Sequence, residues 1–422
     1  LRSKMFVSFC KLIDCHHVVF SSGTPIKALG FECITLLQCI DPLFTPQVED
    51  IFRKIFGVSS KRAIDILRHR IDLIGHKIPQ SVFMTIPPPI VKQHRVKLPN
   101  RLGDKYTVKN IKLEMRAYIK ERLKYHTANM KKYITIYDEC ISVYGKTVKT
   151  NDAMVEYKRY LSYIDIIRRG YDNVAHKDML KYCKEFEKKK LNPVLNPSQK
   201  KAFKDAISVI RFVQLKVLGE ALGQVLGKRR SECICTMIPY IGLMDFVENA
   251  DKKTLCFSSF IDVLETTKQY FIDNGLKPTV VHGQVDRSVD VIVKDFKTDP
   301  DVNPMLATFQ SMSAGITLTL CNVIIFLNLP WRDYLKQQSV ARAFRMGQDS
   351  VVYLIEVTLD TGNEPNISTR SQDIMNWSRQ QVELIMGKDI SEKELSGIVH
   401  RLNMNPKTNF EKAIRVFSDL FR

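Results

Sequence analysis

Between residues 250 and 360, short apolar runs bounded by turn residues alternate with helical patterns. Residues 323–331 form one apolar run, and residues 254–260 and 279–283 form two shorter ones. Runs without polar alternation are typical of strands that are buried on both faces of a parallel sheet. Because helical patterns follow the two shorter runs, this region predicts a parallel α/β sheet with ligand-binding loops at its carboxyl edge.

Most of the remaining chain has the periodicity of amphipathic helices. Helical patterns lie, in chain order, at residues 31–40, 48–56, 62–73, 109–136, 152–169, 178–190, 197–227, 371–386, 391–402 and 409–421. Three consecutive prolines at 87–89 are stiff and mark an extended segment. The pattern therefore predicts a helical first half and an α/β region that follows it.

The positive charge of the chain is unevenly distributed. The 422 residues include 64 Lys and Arg against 45 Asp and Glu, which gives a formal net charge of +19. Residues 101–230 hold 30 basic residues against 14 acidic ones, so +16 of this charge lies in under a third of the chain. A polyanion is the natural partner for such a region, because Lys and Arg neutralise phosphates. The alternative is a set of solvated helices whose charge keeps the protein soluble.

The ten cysteines indicate neither disulfides nor zinc. The sequence contains no pair of cysteines with the two-residue spacing of a tetrahedral metal site. We interpret them as reduced thiols in a reducing compartment. No run of eighteen apolar residues and no signal peptide is present, so the sequence predicts an intracellular protein, cytoplasmic or nuclear, that neither crosses a membrane nor is secreted.

The most informative chemistry lies in the eleven residues 338–348. Helical spacing predicts that Arg342 and Arg345 share one face with Gln338, and that Gly347 ends the helix just beyond them. Two guanidinium groups at a helix end suit the charge that develops on a transferring γ-phosphoryl group. On spacing alone, the alternative is an exposed basic helix with a glycine cap.

Five segments in chain order resemble the conserved blocks of superfamily-two helicases, and in particular those of the Swi/Snf-type ATPases. The segments are 18–25 for motif III, 255–260 for motif IV, His282-Gly283 with Arg287 and Phe296 for the block that follows it, 313–318 for motif V and 338–348 for motif VI. The matching parts cover roughly residues 1–50 and 250–360. Each block alone is weak, but all five in family order make a strong case.

The resemblance implies an α/β fold with RecA-like lobes, and it assigns a part to each region. The regions are the end of the first lobe (1–45), a helical and extended linker (46–100), a basic helical insertion (101–248), the second lobe (249–360) and a C-terminal helical segment (361–422). Motors of this class also carry a P-loop and an acidic box before motif III. Only about twenty residues precede Gly23, so we expect the chain to lack both motifs and to be inactive on its own.

Some residues depart from or imitate the family pattern. Phe344 stands where the family usually has histidine, and Ser22 where it often has threonine. Residues 145–147 end like a P-loop, but Cys140 stands where its first glycine should be. Residues 138–140 imitate an acidic box, although they lie after motif III in a lysine-rich helical region. We interpret neither segment as catalytic.

The resemblance also implies roles for individual residues. The expected catalytic residues are Gln338, Arg342 and Arg345. The expected nucleotide-binding residues are Gly315, Gly347 and Gln348. The residues expected to couple the nucleotide to lobe closure are Gly23, Thr24 and Pro25. The expected nucleic-acid contacts are Ser258, Ser259, Gly283, Arg287, Gln310, Ser311 and Ser313.

Two functions follow from this sequence. The first is an ATP-dependent DNA translocase or helicase of the Swi/Snf-like branch, in which this chain supplies the arginine-finger lobe. Its cofactors are ATP and Mg²⁺, held mainly by the first lobe, and its track is DNA, with duplex DNA favoured and RNA left open. The second is a non-hydrolysing nucleic-acid-binding or scaffold protein derived from such a motor. A protein partner for the helical insertion is also left open.

Overall fold

The computed structural model describes residues 34–40, 45–56, 61–76, 86–111, 151–158, 227–312 and 316–386, together with isolated positions among the first 142 residues. The chain divides into two compact units. The first unit comprises residues 1–103 and 231–405, and the second comprises residues 104–230 and 406–422. In the described part of the chain, no helix is long and apolar enough to cross a membrane.

The first unit contains a six-stranded parallel sheet. Its strands are β1 (Ile90–Lys97), β2 (Lys253–Ser258), β3 (Lys277–Val281), β4 (Val302–Thr308), β5 (Cys321–Phe326) and β6 (Tyr353–Asp360). The strand order is β1-β6-β5-β2-β4-β3, and every neighbouring pair is parallel. The parallel α/β fold expected from the apolar runs is therefore confirmed.

The helices that accompany these strands are α1 (Ile34–Ile40), α2 (Pro46–Phe56), α3 (Lys61–Ile74), α4 (Lys228–Met237), α5 (Leu243–Glu248), α6 (Ile261–Asp273), α7 (Val289–Thr298), α8 (Asp333–Ala343) and α9 (Ile367–Met386). Residues 108–111 and 151–158 are helical as well. Helices α6, α7 and α8 each lie between two consecutive strands of the chain and form the crossover connections that parallel strands require. The predicted helices at 48–56, 62–73 and 371–386 correspond to α2, α3 and α9.

The core of the first unit lies around the middle of the sheet. Every residue of β5 is buried, and its Phe326 stacks with Phe257 of β2 at 5.9 Å between ring centroids. Phe309, just after β4, stacks on both rings at 5.7 and 6.0 Å. Offset aromatic pairs at these separations add to the free energy gained from burying the rings. The continuous apolar run of β5 thus reflects a strand covered on both faces.

Three strands, β1, β4 and β6, lie where the sequence predicted none. The linker assigned to 46–100 contains β1, which joins the sheet as the neighbour of β6. Strand β4 includes Pro304, and a proline argues against an interior strand because it has no N–H to donate. Here the side chain of Asn303 accepts the N–H of Thr254 at 2.9 Å, which satisfies a β2 amide at that irregular point.

The boundaries of the two units also differ from the predicted ones. Residues 231–248 were assigned to the basic insertion, but they belong to the first unit, where α4 continues through a short 3-10 turn toward α5. Several of their side chains are buried, including Cys233, Met237 and Leu243. The predicted helices at 178–190, 391–402 and 409–421 lie outside the described residues.

The second unit uses some of its basic residues internally. Arg229 donates from Nε and Nη2 to the two carboxylate oxygens of Glu114 at 2.6 and 2.8 Å. Arg230 is buried, and so is Lys158, whose pKa burial lowers. Of the basic run 228–230, only Lys228 is exposed. Among the described residues of this region, the positive charge is therefore only partly presented to solvent.

Lys253, the first residue of β2, ties that strand to the end of α7. Its Nζ donates to the carbonyl oxygens of Phe296, Asp299 and Val302 at 2.7, 2.5 and 2.9 Å, and it lies 4.8 Å from the centre of the Phe296 ring. A cation at a helix C-terminus meets the negative end of the helix dipole. Burial lowers the pKa of this lysine, while Asp299 opposes the shift.

We predict that Lys253→Met destabilises the protein although it nearly preserves side-chain volume. Three carbonyl groups lose their donor, so the free energy of unfolding should fall by about 1–3 kcal/mol. Urea unfolding measures this difference. The control is Lys294→Met, which removes an exposed lysine of α7 and should leave stability nearly unchanged. Equal losses in both variants would show that the three hydrogen bonds contribute nothing.

Candidate functional site

The predicted nucleic-acid contacts follow three strands that lie side by side. β2, β4 and β3 are neighbours in that order, and their carboxyl ends meet at one edge of the sheet because they are parallel. Ser259, Gly283 and Gln310 follow these ends, and all three are exposed. They present a hydroxyl, a main-chain amide and a carboxamide at this edge, which are groups that bind sugar-phosphate backbones without reading sequence.

Ser258 departs from the expectation, because its side chain is buried and engaged within the fold. Its Oγ donates to Oδ1 of Asn328 at 2.8 Å and accepts the N–H of Phe260 at 3.1 Å. Asn328 also accepts the N–H of Ser259 at 2.9 Å and donates to its Oγ at 2.9 Å. In this conformation Ser258 shapes the loop, and Ser259 carries the exposed group.

Asn328 was missed at the sequence level, although one signal was present. It is the single polar residue in the apolar run 323–329, and it lies just after β5, the neighbour of β2. A buried amide needs partners for both its oxygen and its nitrogen. Asn328 finds them in the loop after β2 and in the carbonyl of Leu329 at 3.1 Å.

Ser311 holds the loop after β4 to the end of β3. It is half-buried, and its Oγ lies 2.8 Å from the carbonyl oxygen of Val281 and 2.9 Å from Oγ1 of Thr308. The Ser311 N–H donates to the same Thr308 oxygen at 3.1 Å. These contacts fix the turn, so Gln310 is the exposed member of the predicted pair.

His282 fixes the chain that leads into Gly283. Its Nδ1 accepts the N–H of Gln284 at 3.3 Å, so the ring proton lies on Nε2, which is 2.9 Å from Glu265 Oε1. This hydrogen bond is the main cause of the lowered pKa of Glu265. A Cβ added at Gly283 would meet no atom within 4 Å, so close packing does not require glycine there.

The other two residues of this block differ in their surroundings. Arg287 is exposed, and its Nη2 lies 2.5 Å from Oδ2 of Asp295. Ion pairs this open to solvent contribute little stability, about 0–1 kcal/mol, so the guanidinium can exchange its carboxylate for a phosphate at small cost. Phe296 of α7, in contrast, is fully buried in the core.

Helix α8 ends sooner than the spacing of its arginines predicted. Its last residue is Ala343, and Phe344 leaves helical geometry with φ −82° and ψ 84°. Arg345 therefore lies beyond the helix, so the two arginines do not share a helical face. Gly347 lies in the following turn with φ +89°, a left-handed conformation that suits glycine. Phe344 packs into the apolar core, which gives a structural reason for an apolar residue at this position.

Arg342 and Arg345 consequently have different environments. Arg342 is buried, and it donates from Nε to the carbonyl of Gln338 at 3.1 Å and from Nη1 to that of Ile316 at 3.3 Å. Its own carbonyl accepts the N–H of Leu318 at 2.7 Å. Burial and, next, the charge of Arg345 lower the pKa of Arg342. Arg345 is exposed.

Gln348 lies buried at the amino edge of the sheet. Its Nε2 donates to the carbonyls of Cys321, the first residue of β5, and of Ala343, the last residue of α8, at 2.8 and 3.1 Å. Its Oε1 accepts Nζ of Lys252 and the N–H groups of Asp349 and Ser350, each at 3.2 Å. All described contacts of this amide are with other residues of the chain, and they position the end of α8. The nucleotide contact expected for Gln348 stays a prediction.

A buried ion pair anchors the other end of α8, and the sequence gave no sign of it. Lys336 of α8 contacts Glu356 of β6, and the two side chains are only 12% and 3% exposed. Gln93 of β1 donates to the second oxygen of Glu356. Burial of such a pair is costly unless the partners satisfy each other, as they do here. The pair fixes α8 against the outer part of the sheet.

Five predicted site residues lie outside the described residues. They are Gly23, Thr24 and Pro25 of the coupling turn, and Ser313 and Gly315 of the motif V loop. Gln338 lies on α8 and is half-buried, with its carbonyl engaged by Arg342. The roles expected for these six residues remain predictions.

The parallel sheet with its flanking helices matches the second RecA-like lobe of helicases. Residues 232–347 match the model of the helicase conserved C-terminal domain. This range contains β2 to β5, α8 and both arginines. The chain therefore carries a helicase C-terminal domain.

Several relatives that this domain resembles are named as SNF2 domain-containing proteins or helicases. The chain is 27% identical over 134 residues to the SNF2 domain-containing protein CLASSY 4 of Arabidopsis thaliana (29% of this chain, 12% of that protein). It is 32% identical over 127 residues to the DNA annealing helicase and endonuclease ZRANB3 of Homo sapiens (29% of this chain, 12% of that protein). The resemblance to Swi/Snf-type helicases is confirmed.

Two further comparisons extend over different lengths. An uncharacterised ATP-dependent helicase of Schizosaccharomyces pombe is 29% identical over 154 residues, which are 34% of this chain and 14% of that protein. The chain thus spans a small part of the curated relatives that it matches. A solved structure, the C-terminal part of the Fun30 ATPase domain, aligns with 75% of this chain and 97% of that one at 12% identity and a TM-score of 0.33.

We predict that Glu356→Gln destabilises the protein more than the loss of any exposed ion pair. The change leaves the buried ammonium of Lys336 without a counter-charge, so the free energy of unfolding should fall by about 3–5 kcal/mol. The matched control is Asp295→Asn, which breaks the exposed pair with Arg287 and should cost less than about 1 kcal/mol. Chemical unfolding compares both, and similar losses would contradict the anchoring role of Glu356.

Proposed function

We propose that this chain is part of an ATP-dependent DNA translocase or helicase of the Swi/Snf-like branch and supplies its arginine-finger lobe. The observation that carries the proposal is the unlike setting of Arg342 and Arg345. A group that meets a transferring phosphoryl must be accessible and held in place. Arg345 is accessible, and Arg342 with Gln348 holds the turn that presents it.

The two arginines therefore have different roles, one at the phosphate and one in support of it. Arg345 approaches the γ-phosphate when the lobes close and neutralises charge that develops in the transition state. Arg342 keeps the end of α8 attached to residues 316–318, through its guanidinium and through its own carbonyl. In its buried position it acts first as a support for Arg345, and it reaches phosphate only if lobe closure releases these bonds.

The nucleic acid binds at the opposite edge of the sheet. Ser259, Gly283 and Gln310 lie at the carboxyl edge, whereas Gln348 places the end of α8 at the amino end of β5. Residues 309–320 connect the two edges, because they leave β4 at its carboxyl end and enter β5 at its amino end. A shift of the nucleic-acid loop is thereby transmitted to Ile316, the partner of Arg342.

ATP and Mg²⁺ are the cofactors of the proposed motor. The exposed guanidinium of Arg345 fits a phosphate group, but the 422 residues contain no P-loop sequence to cradle one. The P-loop lobe of the motor supplies that cradle and the carboxylates for Mg²⁺. Bound there, ATP supplies the free energy for movement, and this chain contributes the charge that completes the site.

Duplex DNA is the favoured track, and the proposed location of the protein is intracellular, cytoplasmic or nuclear. The named activity of ZRANB3 on DNA and the net charge of +19 both support a DNA partner. Within the basic run 228–230, Lys228 is the residue offered to phosphate, since Arg229 is paired with Glu114 and Arg230 is buried. The helical insertion also remains a candidate surface for a protein partner.

We predict that Arg345→Ala abolishes ATP hydrolysis without loss of stability. In a protein that contains both lobes, turnover should fall by about 10³–10⁵-fold, as for other arginine fingers. The melting temperature of the variant should stay unchanged, because Arg345 is exposed. Arg342→Ala should lower both turnover and melting temperature, because it also removes bonds to Gln338 and Ile316.

The comparison of these variants also tests the alternative function. A steady-state ATPase assay and a thermal melt on each variant are sufficient. Unchanged turnover in Arg345→Ala would sink the arginine-finger role. If the two-lobe protein with native arginines binds DNA but hydrolyses no ATP, the non-hydrolysing scaffold is the correct reading.

We predict that negative charge at the carboxyl edge weakens DNA binding. Ser259→Glu and Gln310→Glu place a carboxylate where a phosphate should bind, so each should raise the Kd for a 20-base-pair duplex by about tenfold. Fluorescence anisotropy at two salt concentrations measures the change. The control is Gln269→Glu, at an exposed position near the end of α6, away from this edge. If all three variants bind equally, the track lies elsewhere.

A further inference from the structure

Strand β1 is the outermost strand of the sheet. Among the described residues it pairs only with β6, in register from Ile90 opposite Tyr353 to Lys97 opposite Asp360. Six of its eight residues are exposed, and only Val96 is buried. A strand of this length at the margin of a sheet presents a row of main-chain donors and acceptors along its outer side.

The direction of each main-chain group on β1 follows from one hydrogen bond. The N–H of Ile90 donates to the carbonyl of Val352 at 2.9 Å, on the side of β6. In a parallel strand the N–H and C=O of one residue point to the same side, and successive residues alternate. The main-chain groups that point away from β6 are therefore those of Val91, Gln93, Arg95 and Lys97.

The side chains of β1 select the kind of segment that fits this edge. The strand carries Lys92, Arg95 and Lys97, all exposed, and no acidic residue. Ile90 and Val91 at its start are 44% and 49% exposed. Exposed lysines commonly protect edge strands against aggregation. The exposed β-branched side chains of Ile90 and Val91 favour strand pairing instead, so protection alone does not explain this edge.

This edge is separate from the proposed nucleic-acid loops. Strands β6 and β5 lie between β1 and β2, so β1 is about 14 Å from β2 and farther still from β4 and β3. A ligand on β1 therefore need not compete with a nucleic acid at Ser259 or Gln310. The two surfaces can be tested independently.

We propose that the outer edge of β1 binds an extended acidic segment of a partner protein as an added strand. Main-chain hydrogen bonds to Val91, Gln93 and Arg95 supply the pairing, and Lys92, Arg95 and Lys97 select acidic side chains. Apolar residues at one end of the segment cover Ile90 and Val91. A second copy of β1 is a poor occupant, because two strands with three cations each repel one another.

The test uses the full 422-residue chain and a fluorescein-labelled octapeptide of alternating valine and glutamate. Anisotropy titration should show saturable binding, and the corresponding valine–lysine peptide should bind at least about tenfold more weakly. Two further peptides carry N-methyl groups on alternate amides, one on the odd and one on the even positions. Strand addition uses only one of these sets, so one methylated peptide should lose binding and the other should keep it.

Variants of Arg95 provide the matching test on the protein. Arg95→Pro removes an outward N–H and keeps the ladder to β6, so it should raise the Kd of the acidic peptide about fivefold or more beyond the effect of Arg95→Gln. Arg95→Glu preserves the backbone and should also weaken the acidic peptide. Circular dichroism checks that each variant is folded, and the methylated peptides give the answer even if the proline variant is not.

Three outcomes would overturn the proposal. The first is that none of the peptides binds. The second is that the two methylated peptides bind equally, which would mean that charge alone attracts them. The third is that single-stranded oligothymidylate competes with the peptide, and that Arg95→Glu weakens the binding of both ligands by the same factor. That result would assign the edge to a nucleic acid.

Discussion

The end of α8 is held at two points, and the position of both arginines depends on this. Arg342 turns inward and bonds to the carbonyl of Ile316, while the buried amide of Gln348 joins Ala343 to the first residue of β5. Because both side chains are buried, their hydrogen bonds are expensive to break. The chain must leave the helix at Phe344, and Arg345 is consequently presented to solvent.

The parallel sheet determines at which edge the end of α8 and the exposed loops lie. All six strands run in one direction, so the exposed loop residues gather at one edge and the end of α8 lies at the other. Buried or half-buried polar side chains, notably Asn328 and Ser311, fix the loops at the carboxyl edge. The Lys336–Glu356 pair fixes α8 laterally. The lobe therefore holds its loops and α8 by buried contacts and carries accessible groups at two opposite edges.

Strong apolar periodicity made much of this fold predictable. The buried strand at β5 and helices α2, α3 and α9 follow directly from such patterns. β1 escaped prediction because its exposed, basic sequence lacks an apolar face, and β4 because Pro304 normally interrupts an interior strand. For the site, motif spacing singled out Arg342 and Arg345 but did not predict their different surroundings. Helical geometry was assumed to continue through Arg345, and only the three-dimensional contacts reveal that Phe344 ends it.

The buried polar partners could not be predicted for a different reason. Lys336 and Glu356 are twenty residues apart on different elements, and a single charged residue in a sequence does not indicate which distant charge it meets. The same applies to Ser258, whose hydroxyl reaches Asn328 just after the neighbouring strand β5. Pairings of this kind depend on the register of the sheet, which local patterns do not specify.

Hydrogen–deuterium exchange of residues 316–320 tests the unlike roles of the two arginines most directly. The measurement compares the native chain with Arg342→Met and Arg345→Met, which remove each guanidinium but retain an apolar stem. If Arg342 supports the segment, its loss should speed exchange there about fivefold, and Arg345→Met should leave exchange unchanged. Equal exchange in all three proteins, or faster exchange in Arg345→Met alone, would contradict the account.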